Sequence, residues 1–204
     1  MFTVNPFSEL SGLVSPLAMQ VYVIAMVLLV IGGTVVDMIH KKSAEYFFKN
    51  AEKAKAEASR SVSVVKKASI AVTTVAVDVL TSGEFCNQRR RLAHLLTMYG
   101  FILFVATTAI MIFGYIGAQT PVILPLLWHL GALMLCGGGY WFWFFIRVDV
   151  AAEGNPWYRV MRADLFVLSM LATATFALIW SFFQAVGAAS LSMFFFSLFI
   201  LSST

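Results

Sequence analysis

The sequence predicts an all-α integral membrane protein: a bundle of five transmembrane helices with a cytoplasmic, interfacial helical insert. Of its 204 residues, 60% are hydrophobic and 12% are charged, and the mean hydropathy is +0.86. A soluble domain is nearer half apolar and one quarter charged. The apolar segments are long enough for helices, unlike the short alternating strands of an outer-membrane barrel.

The apolar runs place the five spans at residues 17–40, 92–117, 122–146, 163–184 and 190–204. The first four are long enough to cross a hydrocarbon core of about 30 Å. At 1.5 Å per residue the last reaches only about 22 Å, so we expect that the sequence stops inside the fifth helix and that the native chain is longer. The first span is not a secretory signal, because the positive residues follow the apolar run.

The chain divides into three predicted parts: an outward N-terminus with the first span (1–40), a basic insert (41–91), and a four-helix membrane core (92–204). The insert begins with a stretch rich in Ala, Glu and Lys, which predicts an amphipathic helix on the membrane surface. Its continuation, 61–80, is rich in Val, Ala, Ser and Thr. We interpret that stretch as interfacial or partner-facing, with helix and strand both open.

The basic residues predict the orientation. All fourteen Lys and Arg residues lie in the insert or in the loop 147–162. By the positive-inside rule, both segments face the cytoplasm and the N-terminus faces outward. An odd number of spans separates the two kinds of loop, so the assignment is self-consistent. We therefore expect a multi-pass protein of the bacterial inner membrane.

His94 is the leading candidate for a cofactor ligand. It lies about one helical turn inside the second span, directly after three arginines. An ionisable residue at that depth is costly unless it has a function, and neutral imidazole is a good iron ligand. We interpret His94 as an axial haem ligand, with interfacial hydrogen bonding and quinone contact as alternatives. Arg90 and Arg91 are topology anchors or partners of the haem propionates.

His129 and His40 are the other candidates. Counted from the helix ends, His129 and His94 differ in depth by about 25 Å, so they cannot ligate one iron. His40 ends the first span at the level of His94 and is a possible partner. The other possible partner is a histidine beyond Thr204. His129 is a haem or quinone-site residue, or a packing histidine bonded to a backbone carbonyl.

Other polar and small residues have simpler interpretations. Cys86 and Cys136 form neither a disulfide framework nor a CxxC metal motif. The glycines of the second and third spans allow close helix approach. Asp164 is expected to cap the fourth span or to pair with Arg159 or Arg162.

Five motifs resemble one family, the haem b membrane subunits of the respiratory nitrate reductase gamma type. This group includes the membrane parts of heterodisulfide reductases and of the quinone-interacting oxidoreductase of sulfate reducers. Three motifs resemble the group as a whole: RRLAHLLTMYGF at 90–101, WHLGAL at 128–133 and RADLFVLS at 162–169. Two more, SGEFC at 82–86 and GNPWY at 154–158, resemble one branch, the membrane anchors of adenylylsulfate (APS) reductase.

The resemblance implies a haem b anchor that exchanges electrons between membrane quinone and a cytoplasmic flavin or iron–sulfur enzyme of sulfur metabolism. Such a subunit transfers electrons and has no catalytic residues of its own. His94 matches a family haem ligand, whose usual partners lie on the fifth span. Two-haem members carry another histidine where this chain has Phe104, so the resemblance implies one haem, and a second would need a different ligand. The alternatives are a cofactor-free structural or assembly subunit and, less favoured by the few ionisable residues in the spans, a small transporter or channel.

Overall fold

The computed structural model describes residues 2–57, 63–85, 87–150, 154–162 and 164–204. Within these ranges the regular structure is entirely helical, which confirms the predicted all-α class. The helices are α1 (Pro6–Leu10), α2 (Pro16–His40), α3 (Ser43–Glu57), α4 (Val64–Thr74), α5 (Gln88–Gly114), α6 (Ile123–Trp141), α7 (Asp164–Ala185) and α8 (Ala189–Ser203). Single π-helical turns, Val75–Val79 and Phe142–Ile146, continue α4 and α6.

Four helices are long and apolar enough to cross a membrane: α2, α5, α6 with its π turn, and α7. These are the first four predicted spans, and α8 is the shorter fifth apolar segment. Helix α5, the second predicted span, begins at Gln88, four residues before the start that the sequence predicted. The side-chain oxygen of Asn87 accepts hydrogen bonds from the backbone N–H groups of Arg89 and Arg90, and this N-cap allows the charged first turn to be helical.

The chain forms two compact units. The smaller unit, Leu17–Leu80, contains α2, α3 and α4 with its π turn. Both described parts of the insert are therefore helical, and this resolves the choice that the sequence left open. The side chains of Tyr46, Phe47 and Phe48 are exposed together on α3. The larger unit contains Met1–Pro16 and Thr81–Thr204, so the N-terminal residues group with α5–α8.

Helices α5 and α6 pack with their backbones in direct contact, because glycines face each other across the pair. A Cβ at Gly100 would lie 2.5 Å from the backbone nitrogen of Leu135, and a Cβ at Gly131 would lie 2.7 Å from that of Phe104. At Gly138 a Cβ would lie 2.6 Å from the carbonyl oxygen of Ala93. Small residues give such contact in membranes, where lipid supplies no hydrophobic drive for helix association.

Aromatic side chains fill the rest of the larger unit. Trp128 on α6 and Trp180 on α7 are fully buried, and their ring centroids lie 6.3 Å apart. Phe199 of α8 stacks on Trp180 at 5.8 Å. The turn between α7 and α8 passes through Gly187, whose φ of 74° suits a residue without a Cβ. Helix α8 therefore packs back along α7.

The N-terminal segment folds over one end of these helices, and we call residues 2–14 the plug. Phe7 of α1 is buried against Trp128 and Trp180. The side-chain amide of Asn5 donates to the hydroxyl of Thr120, and that of Gln184 donates to the carbonyl of Pro6. The plug end thus lies where α5 and α7 end. The opposite end, which carries Arg89–Arg91 and Arg147, is called the basic end.

The glycine contact predicts a sharp difference between two neighbouring positions. Gly138→Ala should lower the free energy of unfolding by about 1–3 kcal/mol, because the new Cβ meets the backbone of α5. Gly137→Ala is the matched control, since a Cβ there meets nothing within 4 Å. Helical circular dichroism during a denaturing-detergent titration measures both. Equal effects of the two substitutions would contradict close packing of α5 on α6.

Candidate functional site

His94 lies in the second turn of α5, where one ring nitrogen is held and the other is not. Its Nδ1 lies 2.8 Å from the hydroxyl oxygen of Ser82. The ring of Phe85 contacts the imidazole, with centroids 5.1 Å apart. The Nε2 atom has no hydrogen-bond partner among the described residues, and the side chain is exposed on the flank of the helix. The ring is therefore oriented from one side and accessible from the other.

The turn that carries Ser82 is fixed against α5. Ser82 is fully buried and has a φ of 50°, a left-handed conformation that is rare for a non-glycine residue. The Nε of Arg91 donates to the carbonyl of Thr81 at 2.8 Å. The two bonds, from Arg91 and from His94, lie one helical turn apart on α5. They hold the Ser82 hydroxyl in place beside the imidazole.

His129 has a different environment, in which both ring nitrogens have partners. Its Nδ1 lies 2.7 Å from the carbonyl oxygen of Pro125, and its Nε2 lies 2.7 Å from the hydroxyl of Ser181. A carbonyl can only accept, so Nδ1 carries the proton and Nε2 accepts from the serine. Trp128 and Phe2 of the plug cover the ring edge-on. A ligand role for His129 stays a prediction, and it would require Ser181 to release Nε2.

The packing of α5 on α6 also gives the axial offset between the two histidines. Gly138 lies beside Ala93 and Thr97, so it is nearly level with His94. His129 is nine residues earlier on α6, which corresponds to about 14 Å. This is shorter than the predicted 25 Å, because the last turns of α5 extend past the start of α6. The two imidazoles are still too far apart along the helices to share one iron.

The structure shows no contact with His94 for the other described candidate residues of the larger unit. His40 is the last residue of α2 and belongs to the smaller unit, so its pairing with His94 stays a prediction. Phe104 is buried, and its ring packs on Trp128 at 5.2 Å. The Sγ of Cys136 lies 3.6 Å from the hydroxyl of Thr175. Cys86 lies outside the described residues. Within the described ranges, no three His, Cys, Asp or Glu side chains come together as metal ligands.

Arg90 and Arg91 have different roles at the basic end. Arg91 is the residue that donates to Thr81. Arg90 lines a cleft of about 580 Å³ between the first turn of α5 and the end of α6. The cleft is also lined by Asn87, Arg89, Trp141, Phe145 and Asp149. His94 is not among its lining residues, so pairing of these arginines with haem propionates stays a prediction.

Arg147 organises the loop that joins α6 and α7. It is fully buried, and its guanidinium donates to the carbonyls of Pro156 and Arg159 at 2.9 and 2.6 Å. It also forms an ion pair with Asp164 at 2.6 Å and lies over the ring of Trp143 at 4.2 Å. The expected pairing of Asp164 with Arg159 or Arg162 was therefore wrong. Asp164 lies closer to Arg147 in space, and its carboxylate also accepts from the backbone N–H of Met161.

Comparison with known proteins adds no relative: no family model, curated protein or solved structure matches this chain.

Two residues of the site were missed from the sequence. In the sequence Ser82 stands out only as part of the motif SGEFC, although a hydroxyl twelve residues before His94 can reach it when the chain turns. Ser181 lies 52 residues after His129, and nothing in the intervening sequence indicates that the two meet.

Arg147→Met should destabilise the larger unit by about 3–5 kcal/mol, because it leaves the carboxylate of Asp164 without its ion-pair partner. Trypsin cleavage after Arg159 and Arg162 should accelerate as the loop is released. Arg162→Met is the matched control and should change thermal stability by less than about 1 kcal/mol, since its side chain is exposed. Thermal unfolding in detergent micelles tests the prediction, and equal losses from both substitutions would refute it.

Proposed function

We propose that this chain is a haem b membrane anchor with His94 as an axial ligand of the iron. In this proposal it exchanges electrons between membrane quinone and a cytoplasmic flavin or iron–sulfur enzyme similar to APS reductase. The single observation that carries it is the state of the His94 ring, which is held at Nδ1 by Ser82 and accessible at Nε2.

That geometry suits an iron ligand. A metal-bound histidine usually donates its second N–H to a nearby acceptor, which fixes the tautomer and the orientation of the ring. If His94 held the iron through Nε2, Nδ1 would carry the proton and would donate a hydrogen bond to the hydroxyl oxygen of Ser82. The contact with Phe85 further restricts rotation of the imidazole. His129 has no comparable accessible nitrogen, because Pro125 and Ser181 occupy both of its positions.

The residues around His94 also favour haem over a metal ion bound by protein side chains alone. No cluster of three or more potential ligands exists in the part of the chain that the structure describes. A porphyrin supplies four of the six iron ligands, so one or two histidines are sufficient. When bound, the haem supplies one-electron redox chemistry, and the chain holds and orients it.

The proposed orientation places the basic end in the cytoplasm, in agreement with the positive-inside rule. The loop held by Arg147 then faces the cytoplasm with Trp157, Tyr158, Arg159 and Arg162 exposed. Aromatic and Arg side chains are the residues most enriched in the energetic centres of protein interfaces. Because the guanidinium of Arg147 already holds the carbonyls of Pro156 and Arg159, binding through these neighbours would cost little further conformational entropy. This supports a docking surface for an acidic patch on the redox enzyme.

His94→Ala should remove the b-type band from the reduced-minus-oxidised spectrum of the purified full-length protein. Ser82→Ala should keep the band but lower haem affinity by roughly 10- to 100-fold, as expected when the group that orients a ligand is lost. His129→Asn is the comparison variant and should retain the band, because neither ring nitrogen is available to iron.

Three results would contradict this assignment. A band that persists in His94→Ala would place the iron elsewhere, and a band lost only in His129→Asn would place it on α6. Absence of any band from the full-length wild-type protein would favour a cofactor-free structural subunit.

The partner surface predicts a salt-dependent interaction. Arg159→Gln with Arg162→Gln should weaken binding of purified APS reductase by a few-fold per arginine, and the dependence on ionic strength should become shallower. Glu9→Gln, at the plug end, is the control and should have no effect. Surface plasmon resonance with immobilised anchor measures both. Unchanged affinity in the double variant would exclude this loop as the docking surface.

A further inference from the structure

The cleft at the basic end has a cationic wall and an aromatic wall. Arg89 and Arg90 come from the first turn of α5, and Trp141 and Phe145 come from the end of α6. The volume of about 580 Å³ is large enough for more than a single small ion. Its occupant is therefore expected to have both an anionic part and an apolar part.

The cationic wall acts through side chains rather than through the helix N-terminus. The backbone N–H groups of Arg89 and Arg90 already donate to Asn87, at 2.9 and 3.4 Å. An anion in the cleft is therefore held by guanidinium groups, which bind phosphate oxygens in pairs. The side chain of Arg89 is exposed and that of Arg90 is half-buried, and both line the cleft.

The aromatic wall continues the surface of a helix that is apolar enough to cross a membrane. Trp141 and Phe145 are one turn apart, and Phe145 is 71% exposed. Tryptophan is typical of the membrane interface, where acyl chains meet headgroups, and Phe145 adds a purely apolar surface beside it. A free phosphate ion would use only the cationic wall, whereas a phospholipid would use both walls.

The charge of the lining limits the headgroup. Asp149 lies in the same cleft as the two arginines, so its charged side chains together carry one net positive charge. A phosphodiester carries one negative charge. Inorganic phosphate and phosphomonoesters carry nearly two at neutral pH and would be poorly matched beside a carboxylate.

We propose that this cleft binds one anionic phospholipid, with the phosphodiester on Arg89 and Arg90 and an acyl chain along Trp141 and Phe145. The site is separate from the proposed haem site, because His94 does not line it. The lipid fills the gap between the first turn of α5 and the end of α6, and so ties these two helix ends together in the bilayer.

The experiment titrates short-chain phosphatidylglycerol into the purified full-length protein in a neutral detergent, with native mass spectrometry as the readout. Phosphatidylglycerol should bind with a stoichiometry of one, and phosphatidylcholine of the same chain length should bind much more weakly. Arg89→Gln with Arg90→Gln should weaken binding roughly 30-fold, or about five-fold per arginine. Arg159→Gln with Arg162→Gln removes the same charge outside the cleft and should leave binding unchanged.

A second variant tests the aromatic wall without altering charge. Phe145→Ala should weaken the binding of phosphatidylglycerol several-fold. The variant should not change the binding of glycerophosphoglycerol, the water-soluble headgroup of that lipid. Phe145 is largely exposed, so the variant is expected to fold, and an unchanged circular dichroism spectrum checks this.

Several outcomes would overturn the proposal. One is equal binding of phosphatidylglycerol and phosphatidylcholine. Another is an equal loss of phosphatidylglycerol affinity in the Arg89 and Arg90 double variant and in the Arg159 and Arg162 double variant. Competition by millimolar inorganic phosphate would indicate a free-anion site. If the Arg89 and Arg90 double variant lost haem while its lipid binding stayed unchanged, the arginines would hold propionates. A wild-type protein without a b-type band but with selective lipid binding would refute the haem proposal alone.

Discussion

The larger unit depends on the contact between α5 and α6 more than on any other. Gly100 faces Gly131 at one level of the helix pair, and Gly138 meets Ala93 and Thr97 at another, so the two backbones touch at both levels. In a bilayer, helices gain little from hiding apolar side chains, so close packing supplies most of their attraction. The contact fixes how far one helix is shifted along the other. It therefore sets the height of His94 relative to His129 and brings Arg90 opposite Trp141.

Two buried polar residues illustrate different ways of meeting the cost of burial. Both ring nitrogens of His129 form hydrogen bonds to residues of α6 and α7, so neither nitrogen is open to another group. The guanidinium of Arg147 instead donates to two backbone carbonyls of the following loop, those of Pro156 and Arg159, and so ties these residues to the end of α6. Its Nε has no partner among the described residues, a cost that the ion pair with Asp164 and the contact with Trp143 offset.

The sequence was sufficient for the helices because their apolar runs are long and their ends are marked by charge or by turn residues. The helical class and the four long apolar helices follow from that pattern. The start of α5 could not be predicted from that pattern, because the N-cap at Asn87 makes a charged turn helical. The hydrogen-bond partners of Arg147 and His129 could not be predicted from the sequence either. Hydrogen bonds between residues far apart in the chain leave no periodic signal, and several side chains of suitable chemistry compete for each role.

For the candidate site, the sequence offered one residue and not its surroundings. The position of His94 after three arginines marks it as a candidate, since an ionisable group beneath the membrane border is unusual, and its role as a ligand stays a prediction. The Ser82 contact depends on a left-handed backbone conformation, which tertiary packing imposes and local sequence does not. The packing of Phe2 and Phe7 of the plug could not be predicted either, because a short segment with few apolar residues has no characteristic spacing.

The plug has a consequence for how the protein is made. The carbonyl of Pro6 accepts from Gln184, which is 178 residues later in the chain and is therefore synthesised well after it. At about 5–20 residues per second, a ribosome needs roughly 10–40 s to cover that distance. Phe7 has neither of its tryptophan neighbours until Trp128 is made, and it lacks Trp180 until almost the end of this interval. The plug must therefore stay free of other contacts until α7 has been made, so its docking follows the synthesis of α5, α6 and α7.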